Sequence, residues 1–554
     1  MAPNGTDGEA QDVTANRLYY GDNLEVLRTH IPDEAVDLVY LDPPFNSKQD
    51  YNVLFETKVG APATAQIEAF DDTWHWGEES ERAFLAVADS GYTKCTDILI
   101  LLRQFLGDND MMAYLSMMSI RLIELHRVLR STGSLYLHCD PTASHYLKLI
   151  LDSIFGPRNF RNEICWKRTS SHNDVAQGLG RYGKTHDIIF YYGKSKKCTW
   201  NPQFAKYDER YLSQHYSNIE PDTGRRYKTS DLTAAKPGGN TSYEWKGIKP
   251  PRGRYWAYSI DNMAQFESTG RLVYAAKSRM PRLKHYLDKM PGVTIGSVWD
   301  DIPPINSQAQ ERLGYPTQKP IALLERIICS SSNTGDIVLD PFCGCGTAVH
   351  ASEATGRRWI GIDITYLAVG LVERRIRAAF PNSRFLVAGA PKDLEGAAEL
   401  AERDPYQFQW WSLSMIDAQP QNGKRKGSDG GIDGIIYFRS SKDRLERALV
   451  SVKGGRNLGV GAVKDLWATM ERERAPVGVL ISLADPTRPM EREAASAGLF
   501  RAELTQPVPR IQLLTVRDLL SGRKPRIPLV DVQAAFRAPT RHNRAPSQSE
   551  MVLA

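Results

Sequence analysis

Hydrophobic positions in the first two hundred residues follow two rhythms. The apolar run in VDLVYLDPPF, residues 36–45, is bounded by polar turn residues and predicts a buried parallel strand. YLSMMSIRLIELHRVLR then sets Leu115, Met118, Leu122, Leu125 and Leu129 at helical spacing, stops at Ser131-Thr132-Gly133, and gives way to a short strand in SLYLH. A second helix, from about Ala143 to Phe155, completes a β-α-β-α pattern within residues 17–198. From about Thr199 to Asp301 the periodicity fades, and Tyr, Trp, Lys, Arg, Gly and Pro interleave in segments such as SYEWKGIKPPRGRYW; residues 199–310 read as an inserted, irregular module. Regular pattern returns in KPIALLERIICSSS, DIVLDPF, GTAVHASEATG, RRWIGIDI and TYLAVGLVERRIRAAF, which predict two more strand-helix units within 311–385. The two α/β halves are expected to build one sheet.

Beyond Phe380 the texture changes. PNSRFLVAGAPKDLEGAAELAERDP reads as a connector, after which GGIDGIIYF, RALVSVKGG and APVGVLISL supply three new strand candidates. A separate α/β domain is therefore assigned to 395–530. Residues 1–16 and 531–554 read as disordered tails. Between Arg523 and Arg544 the chain carries six Lys/Arg against one Asp, which suits a solubilising end and DNA contact equally. No internal repeat is evident.

Composition narrows the class. A chain of 554 residues with 42% hydrophobic content can bury several cores and form two or three folded units. It has no apolar run approaching the about 20 residues of a membrane helix, and its polar start, MAPNGTDGEAQDVTAN, lacks a signal-peptide core, so a soluble intracellular protein without membrane partners is expected. Seven cysteines without repeated spacing argue against a disulfide framework or a paired CxxC zinc site. A net charge of +5 over 70 basic and 65 acidic residues supports an anionic partner only weakly.

The chemistry concentrates at two turns. Asp42-Pro43-Pro44-Phe45 directly follows the buried strand, and residues just past strand C-termini line the ligand crevice of open α/β sheets. There Asp42 can accept one hydrogen of an exocyclic amine and the Pro43 carbonyl the other, with Phe45 stacking on the base and Pro44 stiffening the turn. A surface Asp-Pro turn is the bland alternative. In the second half, Asp340-Pro341-Phe342-Cys343-Gly344-Cys345-Gly346-Thr347 lies between the strand DIVL and a helix, and nineteen residues past Gly344 the strand WIGI ends in Asp363, placed to accept ribose hydroxyls. That pairing indicates a nucleoside-bearing cofactor. A nicotinamide enzyme is a poor second, because Val349 stands where GxGxxG needs a third small residue. Cys343 and Cys345 read as small loop residues rather than metal ligands.

In this order the motifs resemble the β-type, circularly permuted DNA amino-methyltransferases, N6-adenine or N4-cytosine specific, across roughly residues 17–380. The resemblance is carried by Gly21-Asp22-Asn23, DPPF at 42–45, GSLYLHCD at 133–140, THDIIFYYGK at 185–194, Tyr315-Pro316-Thr317-Gln318-Lys319-Pro320, DPFCGCGT at 340–347 and GID at 361–363. It implies a Rossmann-like class I methyltransferase mixed sheet and S-adenosylmethionine as cofactor. Asp22 would touch the cofactor's adenine, Thr317, Gln318 and Lys319 its methionine end, the 344–347 loop with Gly344, Gly346 and Thr347 its backbone, and Asp363 its ribose, with Asp340 and Phe342 also among the cofactor-binding residues. It further implies double-stranded DNA as substrate, a setting in a bacterial or archaeal cytoplasm within restriction-modification, and a target-recognition role for 199–310. There Arg225, Arg226, Lys246, Arg252 and Arg254 are candidate DNA contacts, each equally readable as a solvated charge. A homodimer is left open. An Asp-first motif favours adenine, Ser-first cytosine N4. Cytosine carbon-5 methylation would need a Pro-Cys pair, and the chain has none.

The C-terminal segment resembles the PD-(D/E)XK restriction-endonuclease fold, in its Mrr-like branch. Asp429, Asp433 and Lys453 are the candidate nuclease site, with Mg²⁺ the metal such a site would use. The departure is Ser451, where that family carries an acidic residue or Gln. A methyltransferase with a DNA-binding appendage and a bifunctional methyltransferase-endonuclease both stay open.

Overall fold

The computed structural model describes residues 15–44, 75–169, 182–236, 238–274, 279–306, 309, 311–313, 315, 317–420, 432–441, 444–455, 458–503 and 505–528, and the backbone of 51–54 and 66–70. The chain divides into a unit of Pro202–Gly296 and a larger unit formed by the sequence on either side of it.

A nine-stranded sheet organises the larger unit. In chain order its strands are β1 (Asn16–Tyr20), β2 (Val36–Leu41), β3 (Leu129–Cys139), β4 (Phe160–Lys167), β5 (His186–Gly193), β6 (Val298–Trp299), β7 (Ile337–Asp340), β8 (Arg358–Asp363) and β9 (Phe385–Ala388). They lie in the order β6-β4-β5-β3-β2-β7-β8-β1-β9. Only β5 runs against its neighbours β3 and β4. The rest of the sheet is parallel, so its strands are covered on both faces and read as continuous apolar runs; β2 is buried at all six positions.

Among the helices that flank it are α1 (Asn23–His30), α2 (Asp110–Val128), α3 (Pro141–Phe155), α4 (Ile321–Ser331), α5 (Thr347–Ala354) and α6 (Tyr366–Ala379). Side-chain caps fix four of their starts: Asp22 accepts from Leu24 N and Glu25 N, Asn109 from Met112 N, Asp140 from Thr142 N and Ala143 N, and Thr365 from Ala368 N. Helix α2 does not end in the expected Ser-Thr-Gly break. It runs straight into β3, and Gly133 lies within that strand, where a Cβ would come 2.9 Å from the Asp37 carbonyl oxygen and 2.7 Å from Leu129 Cδ1. The glycine permits close strand approach instead of a stop.

A buried carboxylate ties the middle of the sheet together. Asp37 on β2 accepts from Arg130 Nη1 on one neighbour, β3, at 2.7 Å, and from the Ile337 amide on the other, β7, at 2.9 Å.

Residues 381–405, which read as a connector, hold β9, paired with β1, and helix α7 (Leu394–Arg403), and end at the first residue of α8 (Pro405–Met415). The apolar run of β9 is only four residues long and half exposed, too short to stand out by periodicity. After these helices come β10 (Gln419–Pro420), β11 (Gly434–Arg439), β12 (Leu445–Lys453), β13 (Val477–Ser482) and β14 (Ile511–Thr515), adjacent in that order. The three strand candidates of this segment all form; β10 and β14 add its two edges. Its core is continuous with the first sheet's periphery, since Tyr366 and Leu367 of α6 bury against Trp410, Trp411 and Phe408 of α8.

The unit Pro202–Gly296 is less irregular than its sequence. It contains a four-stranded antiparallel sheet of Leu272–Tyr274, Pro281–Tyr286, Arg226–Asp231 and Asn218–Ile219, and a small core of Leu232, Trp245, Trp256, Met263 and Leu283.

Replacing Asp37 by Ala strands the Ile337 amide inside the sheet. The expected loss is about 1 to 3 kcal/mol of unfolding free energy, read from denaturant melts; an unchanged midpoint would contradict the role given to this carboxylate.

Candidate active site

The two motif-bearing turns meet because their strands pair. Strands β2 and β7 are in parallel register, Leu38 opposite Val338 and Val39 opposite Leu339, so Asp42-Pro43-Pro44 and Asp340–Thr347 leave the same sheet edge side by side. They wall one cavity of about 360 Å³, completed by Asp22, Tyr315, Thr317, Lys319 and Asp363 among others.

Most of the expected residues converge there. Asp42 receives Lys319 Nζ on Oδ2 at 2.5 Å. Asp22 is doubly engaged, Oδ1 capping α1 and Oδ2 accepting from Arg121 Nη2 at 2.7 Å. Arg121 also donates to Asn23 Oδ1, and Asn23 Nδ2 donates to the Pro341 carbonyl at 2.9 Å, which joins the start of α1 to the second turn. Asp363 Oδ2 accepts from the Gly344 amide and Oδ1 from the amide and hydroxyl of Thr365, each at 2.9 Å. Gly344 and Gly346 both have left-handed φ, 47° and 73°; at Gly346 a Cβ would come 2.8 Å from Val372 Cγ2. Thr347 begins α5, and Arg375 anchors the turn from behind by donating to the Cys345 carbonyl at 2.8 Å.

Gln318 is not in the cavity wall. Its amide donates to the Glu311 carbonyl and accepts from the Leu313 amide at 2.7 Å, stitching together the segment that presents Thr317 and Lys319. Phe45 lies outside the described residues. Cys343 and Cys345 are buried and free, with thiols pushed above the ordinary range by burial, as small loop residues would be. Sequence reasoning gave no site role to Arg121 or Tyr40, and quoted Tyr315 only as part of its motif. Arg121 sits inside an apolar helix, where a lone charge on a buried face was a signal that went unused.

Burial pushes Asp340 well above the ordinary carboxylate range and raises Asp363 as well; for Asp340 the carboxylates of Asp42 and Asp363 add to the effect, while the Phe342 amide and Lys319 oppose it. Carboxylates held so at strand ends, without full internal compensation, are groups kept for a ligand. Together with a nucleoside-sized cavity and two glycines whose backbone a ligand can approach closely, they fit a nucleoside cofactor carrying a positive charge.

Four of the five basic candidates in 202–296 make contacts within their own unit. Arg225 pairs with Asp288 at 2.9 Å and lies over the Tyr286 ring, Arg226 donates to the Tyr216 and Leu212 carbonyls, Lys246 pairs with Glu267 at 2.6 Å, and Arg254 binds Asp231 and Thr233. Arg252 is exposed.

In the C-terminal sheet, Asp433 Oδ2 accepts from the Val452 amide at 2.7 Å and the Ser451 hydroxyl at 3.2 Å. Asp429 lies outside the described residues, and Lys453 ends β12. Among the described residues no group of three His, Cys, Asp or Glu is placed to hold a metal. Among the described residues Ser451 donates to Asp433, and that donor set does not fit Mg²⁺.

A family profile described as DNA methylase matches residues 36–371, and one described as NACHT-associated inactive Restriction Endonuclease 1 matches residues 406–521. The type II methyltransferase M.EcaI of Enterobacter cloacae is 29% identical over 371 residues, covering 66% of this chain and 70% of the relative. The DNA adenine methyltransferase YhdJ of Escherichia coli is 25% identical, with 71% and 94% covered. The Mod subunit of the type III restriction-modification enzyme StyLTI of Salmonella typhimurium is 25% identical, and this chain spans about half its length, 51%.

Asp340 gives the site a measurable signature. Its raised pKa belongs to the folded state, so the folded chain holds a proton that the unfolded chain releases near the ordinary carboxylate value, and stability falls as pH rises through the higher folded value. Asp340→Asn should therefore raise Tm at pH 7.5 by roughly 2 °C or more, the gain shrinking as pH falls towards about 4, while weakening cofactor binding. A lower Tm at pH 7.5 would refute this account of the buried acid.

Proposed function

This chain belongs to the DNA methylase family, and we propose that it transfers a methyl group from S-adenosylmethionine to the N6 amine of adenine in double-stranded DNA, within a restriction-modification setting. The observation that carries the reading is the shared cavity: an amine-accepting Asp-Pro-Pro turn and a glycine turn with a ribose-class carboxylate open on one space.

S-adenosylmethionine supplies a methyl already activated on a sulfonium, so the chain's own residues need only bind, align and exclude water. Asp363, Asp22, Thr317 and the Gly344–Thr347 backbone are the groups that would hold it, with Asp340 and Phe342 in the wall. Asp42 and the Pro43 carbonyl accept the two hydrogens of the target amine and so leave its lone pair directed outwards. Lys319, on Asp42, fixes the rotamer of that carboxylate until the amine arrives. The base must leave the helix to reach the cavity, which makes Phe45 a stacking partner for the flipped base. Adenine is favoured by Asp as first residue of the motif and by the likeness to an adenine methyltransferase. The unit 202–296, with its exposed Arg252, is the candidate reader of the DNA.

For the C-terminal domain we favour a role without cleavage, because Asp433 is already bonded by Ser451 and Val452. Addition of Mg²⁺ to protein and unmethylated DNA should leave the DNA intact.

Incubating the protein with labelled S-adenosylmethionine and unmethylated duplex, then digesting to nucleosides, should yield N6-methyladenine by mass spectrometry; N4-methylcytosine would overturn the base assignment. Asp42→Ala should lower the transfer rate by about 10³-fold or more, roughly 4 kcal/mol, with cofactor affinity retained. An active variant would remove Asp42 from the chemistry.

A further inference from the structure

Arg121 stands in the wall of the cavity, and no step of the mechanism above uses it. It is 5% exposed on α2, a helix whose other buried positions carry no charge. A guanidinium keeps its charge in a protein, and burying one is costly unless it is paired and hydrogen-bonded. Three other wall residues take its hydrogen bonds. Nη2 donates to Asp22 Oδ2 at 2.7 Å, Nε to Asn23 Oδ1 at 2.5 Å and Nη1 to the Met117 carbonyl at 3.0 Å.

The effect of this fork is clearest at Asp22. Its Oδ1 already accepts from the Leu24 and Glu25 amides, so with Arg121 on Oδ2 both oxygens are anchored and the plane of the carboxylate is fixed. A carboxylate oxygen can accept two hydrogens, and Oδ2 keeps one place for a ligand. Asn23, held by the same guanidinium, donates to the Pro341 carbonyl, so the fork is also linked to the glycine-turn side of the cavity.

The order of strands tells which part of a cofactor would meet Asp22. Neighbouring strand ends along the rim run β2, β7, β8, β1, which sets Asp42, the 340–347 turn, Asp363 and Gly21-Asp22 in sequence. The Gly21 amide donates to the Asp363 carbonyl at 3.0 Å, so Asp22 adjoins the ribose carboxylate on the side away from Asp42. With its ribose on Asp363 and its methyl towards Asp42, S-adenosylmethionine has its purine, joined to the ribose away from the sulfonium, at Asp22. The purine carries an exocyclic amine, a donor that suits the remaining place on Oδ2.

We propose that Arg121 is a positioning residue for the cofactor's base: its fork holds Asp22 in the orientation that accepts the purine amine, and so sets both the affinity and the base selectivity of that subsite. This rests on the methyl-transfer reading above. Lysine at this position keeps the charge but has no planar fork, and cannot hold the Asp22 and Asn23 oxygens in the same fixed geometry.

The test uses the full-length protein and two probes, S-adenosylhomocysteine and the same molecule with hydrogen in place of the purine amine, measured by calorimetry beside single-turnover methylation of duplex DNA. The unaltered protein is expected to bind the first about tenfold or more tighter than the second. In Arg121→Lys the Kd for S-adenosylhomocysteine should rise about tenfold and the preference between the probes shrink to about twofold or less, with the transfer rate at saturating cofactor within about twofold of the parent. A purely structural arginine would weaken both probes alike and leave the preference intact. That outcome, an unchanged Kd, or a loss confined to the saturated rate would each overturn the proposal, as would an unaltered protein that does not distinguish the probes. If Arg121→Lys does not fold, Arg121→Met, whose thioether suits the uncharged helix, decides by the same criteria. A protein that shows the expected preference yet methylates no DNA would overturn the proposed function and leave the role of Arg121 standing.

Discussion

Everything in the active-site region depends on a pairing of β2 with β7, strands almost three hundred residues apart. Parallel neighbours point their C-terminal ends the same way, so whatever follows each strand must share a rim. Here those followers are Asp42-Pro43-Pro44 and the Asp340–Thr347 turn. Asp37 holds the arrangement from within, bonded to both of β2's neighbours at once. The order of the two halves in the chain matters little to such a site. Only their adjacency in the sheet does, and the 202–296 unit can be inserted between them because the connection does not need to be short.

The rim collects more negative charge than it neutralises internally. Asp22 has Arg121 and Asp42 has Lys319, but Asp340 and Asp363 rely on backbone amides and a hydroxyl. Amides orient a carboxylate without cancelling its charge, which is why burial wins and both pKa values rise. A cationic ligand entering this rim would relieve that strain, so the same feature that weakens the fold at neutral pH favours binding.

The fold was legible where hydrophobic runs were long. VDLVYL, DIVL and WIGI announced buried parallel strands because both faces of such strands are covered, and the helix over 115–129 followed from its spacing. Short or half-exposed elements were not legible: β9 and β14 carry too few buried residues to show a period, and the Ser-Thr-Gly run that imitates a helix stop is strand. Acidic residues at the site could be found because each ends a strand or opens a turn. Arg121 could not be, since it lies inside an apolar helix and acquires its role only from Asp22 and Asn23 at the start of another helix. Lys319 was placed in the right pocket from its motif, but its bond to Asp42 spans 277 positions and has no local signature.

The C-terminal domain follows from the same physics of buried polar groups. In a metal-dependent nuclease the carboxylate opposite the lysine must keep its lone pairs for the cation. Asp433 instead accepts from the Ser451 hydroxyl and the Val452 amide, both on Oδ2, inside the hairpin. Freed from that constraint, the domain is tied to the methyltransferase sheet by packing: the Tyr366 amide at the start of α6 donates to Gln407 of α8, and the Tyr366 ring stacks on Tyr20 at 3.6 Å. Tyr366 directly follows the Asp363–Thr365 segment of the cavity wall, and Tyr20 directly precedes Gly21-Asp22. Both ends of the cofactor rim are thus braced by one aromatic pair whose far side is buried in the C-terminal core. A domain so joined cannot swing away without disturbing the loops that would hold the cofactor, which makes it part of the same packed architecture as the first sheet.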